Sequence, residues 1–330
     1  MSGGIAQLVS IGAQDVHLVG KPEVSFFRTT YRRHTNFAMT NDRQVIQGSP
    51  SAGGTSTINI ERRGDMLSYM YLRRKDGGDI SANDIEKVEI LIGGQVIDEQ
   101  DFEFSRNIAD DLLVNTPYKP QNASAKFYPL HFWFCENWQS ALPLVSLQYH
   151  NVDLRITWGS VPADVYECWA RYIYLDTDER TTLANNPQDM LIYQVQKTRP
   201  SGKTIQDLVF NHPVKFIACS NILPANTRLK LQINGVDVDG EKELRPHFND
   251  VPVYYHTTHY NNAGPSETYL LYPFCLDTNK LQPTGTLNFS RLDTARFVAT
   301  TPFNRNEQIY AVNYNILKIR AGMASLAYAN

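Results

Sequence analysis

Four places in the 330-residue sequence bring together residue types that could do chemistry. Ser201-Gly202-Lys203-Thr204 ends like a phosphate-binding loop, but the glycine required five residues before Gly202 is Lys197, and a strand pattern follows. Such a loop needs backbone amides gathered at a helix start, so an ordinary turn is the favoured reading. His256 and His259 could offer two imidazoles to a metal; three residues apart they face opposite sides of a strand, and no third ligand is evident nearby. Asp176-Thr177-Asp178-Glu179 could chelate Mg²⁺, yet it is also what a helix amino terminus calls for, a cap followed by acidic residues. Phe26, Phe27, Arg28, Tyr31, Arg32, Arg33, His34 and Phe37 mix basic and aromatic side chains as nucleic-acid surfaces do. The same mixture makes a polar rim at a protein contact, and a net charge of −3 gives no general pull toward nucleic acid.

No G-x-S-x-G elbow, H-E-x-x-H helix or G-x-G-x-x-G turn is present, and the eight histidines show no repeated ligand spacing. Neither an enzyme nor a cofactor nor a metal site is therefore expected. Four cysteines without C-x-x-C spacing suggest free thiols in a reducing compartment. Residues 5–19 are interrupted by Gln7, Gln14, Asp15 and His17 and lack a basic leader, so no secretory signal is expected. No apolar run reaches the ~20 residues of a membrane-spanning helix. Of two glycosylation sequons, Asn288 falls inside a patterned segment, and Asn122, in a Pro- and Lys-bearing loop, is the acceptor candidate.

The elements that would have to position these residues are strands. Residues 58–61, 66–72 and 152–158 are short runs with partial or strict alternation. Asn234-Gly235 and Gly93-Gly94 each separate two such runs and suit a tight hairpin turn. Helix candidates are confined to residues 5–18, 101–113 and 176–184.

The two halves also repeat one another. Residues 88–98 answer to 229–239, and Cys135, Pro143, Leu147 and Asp153 each precede Cys275, Pro283, Leu287 and Asp293 by 140 residues. Landmarks in one order predict a duplicated module of about 140 residues. Many short strands and few helices make each copy a β-sandwich or a barrel. A composition of 42% hydrophobic and 20% charged residues is enough for two cores.

Longer stretches carry a specific resemblance. Gly3-Gly4-Ile5-Ala6-Gln7-Leu8-Val9, Gly12-Ala13-Gln14-Asp15-Val16-His17-Leu18-Val19-Gly20-Lys21-Pro22 and Tyr31-Arg32-Arg33-His34-Thr35-Asn36-Phe37-Ala38 resemble the amino terminus of the major capsid proteins of nucleocytoplasmic large DNA viruses. The likeness runs on through Tyr172-Ile173-Tyr174-Leu175-Asp176, Phe210-Asn211-His212-Pro213, Asn288-Phe289-Ser290-Arg291-Leu292-Asp293 and Ile309-Tyr310-Ala311-Val312-Asn313-Tyr314-Asn315.

This resemblance implies an all-β chain of two consecutive eight-stranded jelly rolls, with an amino-terminal arm over 1–24, a first roll over 25–182, a short linker helix and a second roll over 183–330. It implies a homotrimeric, pseudo-hexagonal capsomer tiling an icosahedral shell, located in the virion and assembled in the host cytoplasm. Its partners would be itself, neighbouring capsomers, minor capsid proteins and an internal membrane surface, with no specific nucleic acid. The counterpart of 58–72 would be 205–219, each broken by a polar pair, Gly64-Asp65 and His212-Pro213. Stretches 44–55 and 238–269, where relatives carry long insertions, are short here, marking a compact member.

Ile5, Leu8, Val9 and Val16 are apolar but precede the first convincing strand, so they are expected to contact another surface, as are Arg28, Arg32 and Arg33. A minor capsid paralogue, or a carbohydrate-binding jelly roll using Trp133, Trp138, Trp158 and Trp169, are the alternatives; core packing is the usual state of Trp133 and Trp158 in patterned strands.

Overall fold

The computed structural model describes residues 3–114, 126–163, 165–257 and 268–328. The chain divides into two compact units, residues 1–36 and 37–330. The first is a string of short helices, Gly3–Val9, Ala13–Asp15 and Val16–Val19, none with a buried residue, followed by irregular chain. Gly12 N–H donates to Asp15 Oδ2 at 2.7 Å, which ties the second turn together.

The larger unit is built of strands. Those of its first half are β1 (Phe37–Gln44), β2 (Thr55–Asn59), β3 (Met66–Arg74), β4 (Ile85–Ile92), β5 (Gln95–Asp101), β6 (Tyr128–Pro129), β7 (Leu142–Pro143), β8 (Val152–Trp158) and β9 (Tyr166–Leu175). Those of its second half are β10 (Gln188–Thr198), β11 (Ile205–Asp207), β12 (Pro213–Cys219), β13 (Arg228–Ile233), β14 (Val236–Asp237), β15 (Lys242–Glu243), β16 (Leu270–Pro273), β17 (Leu287–Asn288), β18 (Ala295–Ala299), β19 (Ile309–Arg320) and β20 (Met323–Leu326).

They form four antiparallel sheets with matched orders. In the first half β1-β9-β3-β6, with β7 also on β3, faces β2-β8-β4-β5; in the second, β10-β19-β12-β16, with β17 also on β12, faces β11-β18-β13-β14. Each pair is a jelly roll, its two antiparallel sheets packed over one apolar core. The duplication is therefore a duplication of topology.

Local chemistry accounts for the recurring parts. Along β8, Val152, Leu154, Ile156 and Trp158 are buried while Asp153, Arg155 and Thr157 are only partly so, the period of two that a half-buried strand imposes. Gly93 and Gly94 take φ of +60° and +80°, and Asn234 and Gly235 +49° and +79°. Both hairpin turns therefore use the left-handed conformation that the sequence anticipates at these pairs. One extra residue bulges from β3 between Leu67 and Met70 and from β12 between Val214 and Phe216, close to the two predicted polar breaks.

The register of the repeat differs from the expected one. Met66 pairs with Pro143 and Pro213 with Asn288, so Pro143 answers to Asn288 and Leu142 to Leu287. The spacing of 140 residues after the hairpins is thus not a structural register: connecting segments of unequal length separate the strands, and Leu147 and Leu287 share only residue type. Trp133 also departs from the strand expected for it, within an apolar run at 127–135. Only Tyr128–Pro129 pairs, and Trp133–Glu136 is a turn of helix that puts Trp133 and Phe134 in the core.

A helix over Thr177–Asn185 joins the halves, capped as expected: Thr177 N–H donates to Asp176 Oδ1 at 2.8 Å, and Arg180 Nε lies 2.9 Å from Asp65 Oδ1. The segment after β5 is helical too, with a π turn at Ser105–Ala109 between Phe102–Phe104 and Asp110–Leu112.

Three apolar clusters hold the unit together. One fills the first roll, around Leu67, Leu154, Trp158 and Tyr172, and is completed by Ile192, Leu317 and Ile319 from β10 and β19. A second fills the other roll, around Ile217, Leu231, Phe297 and Phe303. The third lies between the rolls: Phe104, Ile108, Ala109 and Leu112 pack on Phe216, Leu271, Tyr310 and Val312. The β19–β20 hairpin is bonded to the first roll as well, Tyr149 N–H donating to Gly322 O at 3.0 Å and Ala324 N–H to His150 Nδ1 at 3.1 Å.

Candidate functional site

The chemistry in this chain is concentrated where the rolls meet. Strand β5 runs beside β10. Val195 N–H donates to Asp98 Oδ1 and Gln100 Nε2 to Asp98 Oδ2, both at 2.8 Å, and Gln194 Nε2 donates to Ile97 O. Burial pushes the Asp98 carboxyl up to about 7, against the lowering effect of those donors. At the end of β5 the hydroxyl of Tyr310 donates to Asp101 Oδ1 at 2.8 Å, the same oxygen that accepts the Phe104 N–H and so caps the helical segment. Lys197 Nζ sits 2.7 Å from Glu99 Oε1, and Lys87 Nζ 2.9 Å from Oε2. Burial would raise Glu99, but the two lysines outweigh it and hold the carboxyl near 2.

Behind this seam lies a chain of buried charge. His131 is 2% exposed. Its Nε2 is 2.9 Å from Asp110 Oδ1 and its Nδ1 2.6 Å from Glu136 Oε1. Burial alone would depress the imidazole; Glu136 and then Asp110 reverse that and lift it to about 10, so His131 carries a proton at neutral pH. Asp110 in turn lies 3.6 Å from Arg106, whose guanidinium lies beside the stacked rings of Phe102 and Tyr128, at 5.6 and 5.4 Å from their centroids. Arg106, Asp110, His131 and the half-buried Glu136 together cancel in charge, which is what lets the group stay largely out of water. Arg106 and Asp110 come from the helical segment after β5, Glu136 from the Trp133–Glu136 turn and His131 from the chain just before it. The arrangement holds two elements in place; it offers no nucleophile, since burial pushes the adjacent Cys135 thiol far up.

None of these residues was singled out in the sequence. The available signal was an ionisable pair, His131 and Glu136, inside an otherwise apolar run. Residues that were singled out lie elsewhere. Ile5, Leu8, Val9 and Val16 are on the short helices of the small unit and are 51–75% exposed. Arg28, Arg32 and Arg33 are exposed in the irregular chain that follows, and none pairs with a carboxylate among the described residues. Asn122 and His259 lie outside the described residues, and His256 Nδ1 is 2.9 Å from Cys275 O. Residues 201–204 form a turn before β11, not a helix start. Trp133 and Trp158 are buried, Trp169 is half-buried on β9, and Trp138 is exposed, so the four indoles do not share one face. The four cysteines are free thiols.

Residues 25–165 match the family described as major capsid protein N-terminus, and residues 225–325 that described as large eukaryotic DNA virus major capsid protein. The chain is 32% identical to the major capsid protein of Pyramimonas orientalis virus and 32% identical to that of Paramecium bursaria Chlorella virus 1, over the full length of all three. Those alignments run to 397 and 442 positions against 330 residues here, so both relatives carry inserted segments. Among solved structures, a chain of the PBCV-1 virus capsid superposes with a TM-score of 0.77 at 27% identity, covering 93% of this chain and all of that one.

Proposed function

The chain belongs to the family of major capsid proteins of large eukaryotic DNA viruses, and from that premise we propose that it works as the repeating shell subunit, three copies closing into a capsomer of six-sided outline. It is a structural capsid protein of the virion. The observation that carries the reading is the matched pair of jelly rolls fused by an apolar cluster and a hydrogen-bonded polar seam. A block with two near-equivalent sandwiches per chain needs only a threefold axis to present six similar flanks, and such a block tiles a lattice with similar contacts on every side. Short connections support the same reading, because flanks that must abut lose more entropy on association when they carry long mobile loops.

The small unit supplies the contacts that a compact roll does not. Its exposed Ile5, Leu8, Val9 and Val16 are unburied apolar surface, which suits a neighbouring chain, a minor capsid protein or the inner face of the shell. Arg28, Arg32 and Arg33 extend that surface with charge suited to an anionic membrane.

Light scattering on purified protein across a hundredfold dilution is the test. A persistent species of three chains is expected, since obligate interfaces bury over about 2,000 Å². A stable monomer or dimer overturns the capsomer reading while leaving the fold untouched. A virion protein profile separates the principal subunit from a minor paralogue by abundance.

A further inference from the structure

Between the two rolls is a cleft of about 420 Å³ whose lining includes Trp133, Glu136, Lys215, Thr278, Lys280 and Tyr314. Lys215 is the inserted residue of the bulge in β12, between Val214 and Phe216, and is 3% exposed. In the first roll the corresponding bulge carries Ser68 and Tyr69. Bulges re-aim a side chain, and this one takes a lysine out of the strand's alternation and puts it at the cleft. The ammonium has no carboxylate within ion-pair distance among the described residues; Asp277 acts on it only through space, and the ring of Tyr314 lies 5.6 Å from Nζ to centroid. The other charges of the cleft are matched. Glu136 is held by His131 at 2.6 Å, and Lys280 by Asp277 at 3.2 Å. Around Lys215, three further donors are buried without a partner: Trp133 Nε1, Thr278 Oγ1 and Tyr314 Oη.

A buried cation without an ion-pair partner, among neutral donors without acceptors, is a costly arrangement that an anion relieves. We propose that this cleft is a carboxylate-binding site in which Lys215 pairs with the anion and the neighbouring hydroxyl and indole donors adjust to meet its oxygens. One unmatched positive charge fits a monoanion better than a phosphate dianion, and the volume takes a carboxylate on a short side chain or small molecule. The site stands whatever the number of chains in the capsomer.

The experiment is a thermal titration of the full-length protein with sodium acetate at constant ionic strength, with chloride and inorganic phosphate as comparisons. Acetate is expected to raise the unfolding midpoint saturably, by about 2 °C at ten times its dissociation constant. Lys215→Met should lose the response; Tyr314→Phe, which keeps the charge, should weaken acetate about fivefold, and serves if the first variant does not fold. No acetate effect beyond chloride, an equal effect in Lys215→Met, or a stronger effect of phosphate overturns the proposal. Carbodiimide coupling of assembled protein, read by mass spectrometry, distinguishes the sources. An amide between Lys215 and an acidic residue of another copy assigns the carboxylate to a neighbouring chain; an acetate response without that adduct assigns it to a small molecule.

Discussion

Replacing His131 by Gln removes the one cation that Asp110 and Glu136 share, leaving buried Asp110 with Arg106 and half-buried Glu136 with no ion-pair partner among the described residues. Breaking a buried ion pair by deleting one member costs about 3–5 kcal/mol, because the remaining charge is uncompensated. The cost must depend on pH in a definite direction. In the folded protein the imidazole is raised to about 10, whereas in the unfolded chain it returns to about 6.5. A raised group stabilises fully below its unfolded value and loses that contribution as pH rises through the folded one, so the window is pH 6.5 to 10, with a ceiling of about 5 kcal/mol. Lys215 works the other way, since burial lowers it to about 8 and stability gains as it deprotonates. That contribution is common to both proteins and cancels in their difference. Denaturant unfolding of wild type and His131→Gln at half-unit steps from pH 6 to 10 is the assay, with His131→Gln/Glu136→Gln as the variant that restores part of the loss. The expected result is a difference of 3–5 kcal/mol at the acid end that shrinks toward pH 10. A difference independent of pH would refute a protonated His131 and reduce its role to packing.

Phe104→Ala empties a fully buried site shared with Tyr310, whose ring centroid is 5.4 Å away, and should cost about 3–5 kcal/mol; calorimetry should show one transition for the wild type and a broadened or split one for the variant as the rolls uncouple. Deleting residues 2–20 removes only exposed helices of the small unit, so circular dichroism and melting should be close to wild type while particle assembly, followed by electron microscopy, falls off sharply; normal assembly would remove the arm from the contact surface.

What was legible in the sequence was what short-range chemistry dictates. The paired turns at Gly93-Gly94 and Asn234-Gly235 depend on φ alone, and the alternation along β8 depends on one buried face, so both could be read directly. The register of the later landmarks could not, because it depends on how many residues each connection spends before its strand returns to β3 or β12. The strand expected at Trp133 failed for a related reason: a short continuous apolar segment is buried equally well as strand or helix. The charge chain of Arg106, Asp110, His131 and Glu136 was invisible since its members are joined by packing rather than spacing. Lys215 was hidden by a bulge, which breaks the very periodicity used to assign faces.

The strand that closes the second roll also roofs the first, through Leu317 and Ile319 and through the bonds of Gly322 and Ala324 to Tyr149 and His150. During synthesis the first roll therefore emerges from the ribosome with part of its core uncovered, and stays so until almost the whole chain has been made. Contacts across such separations are slow to form, and the waiting surface is open to misassociation in a cell making many copies at once. By the same topology a chain cut short before β19 lacks part of both cores, and is expected to fail to fold rather than to give one intact roll.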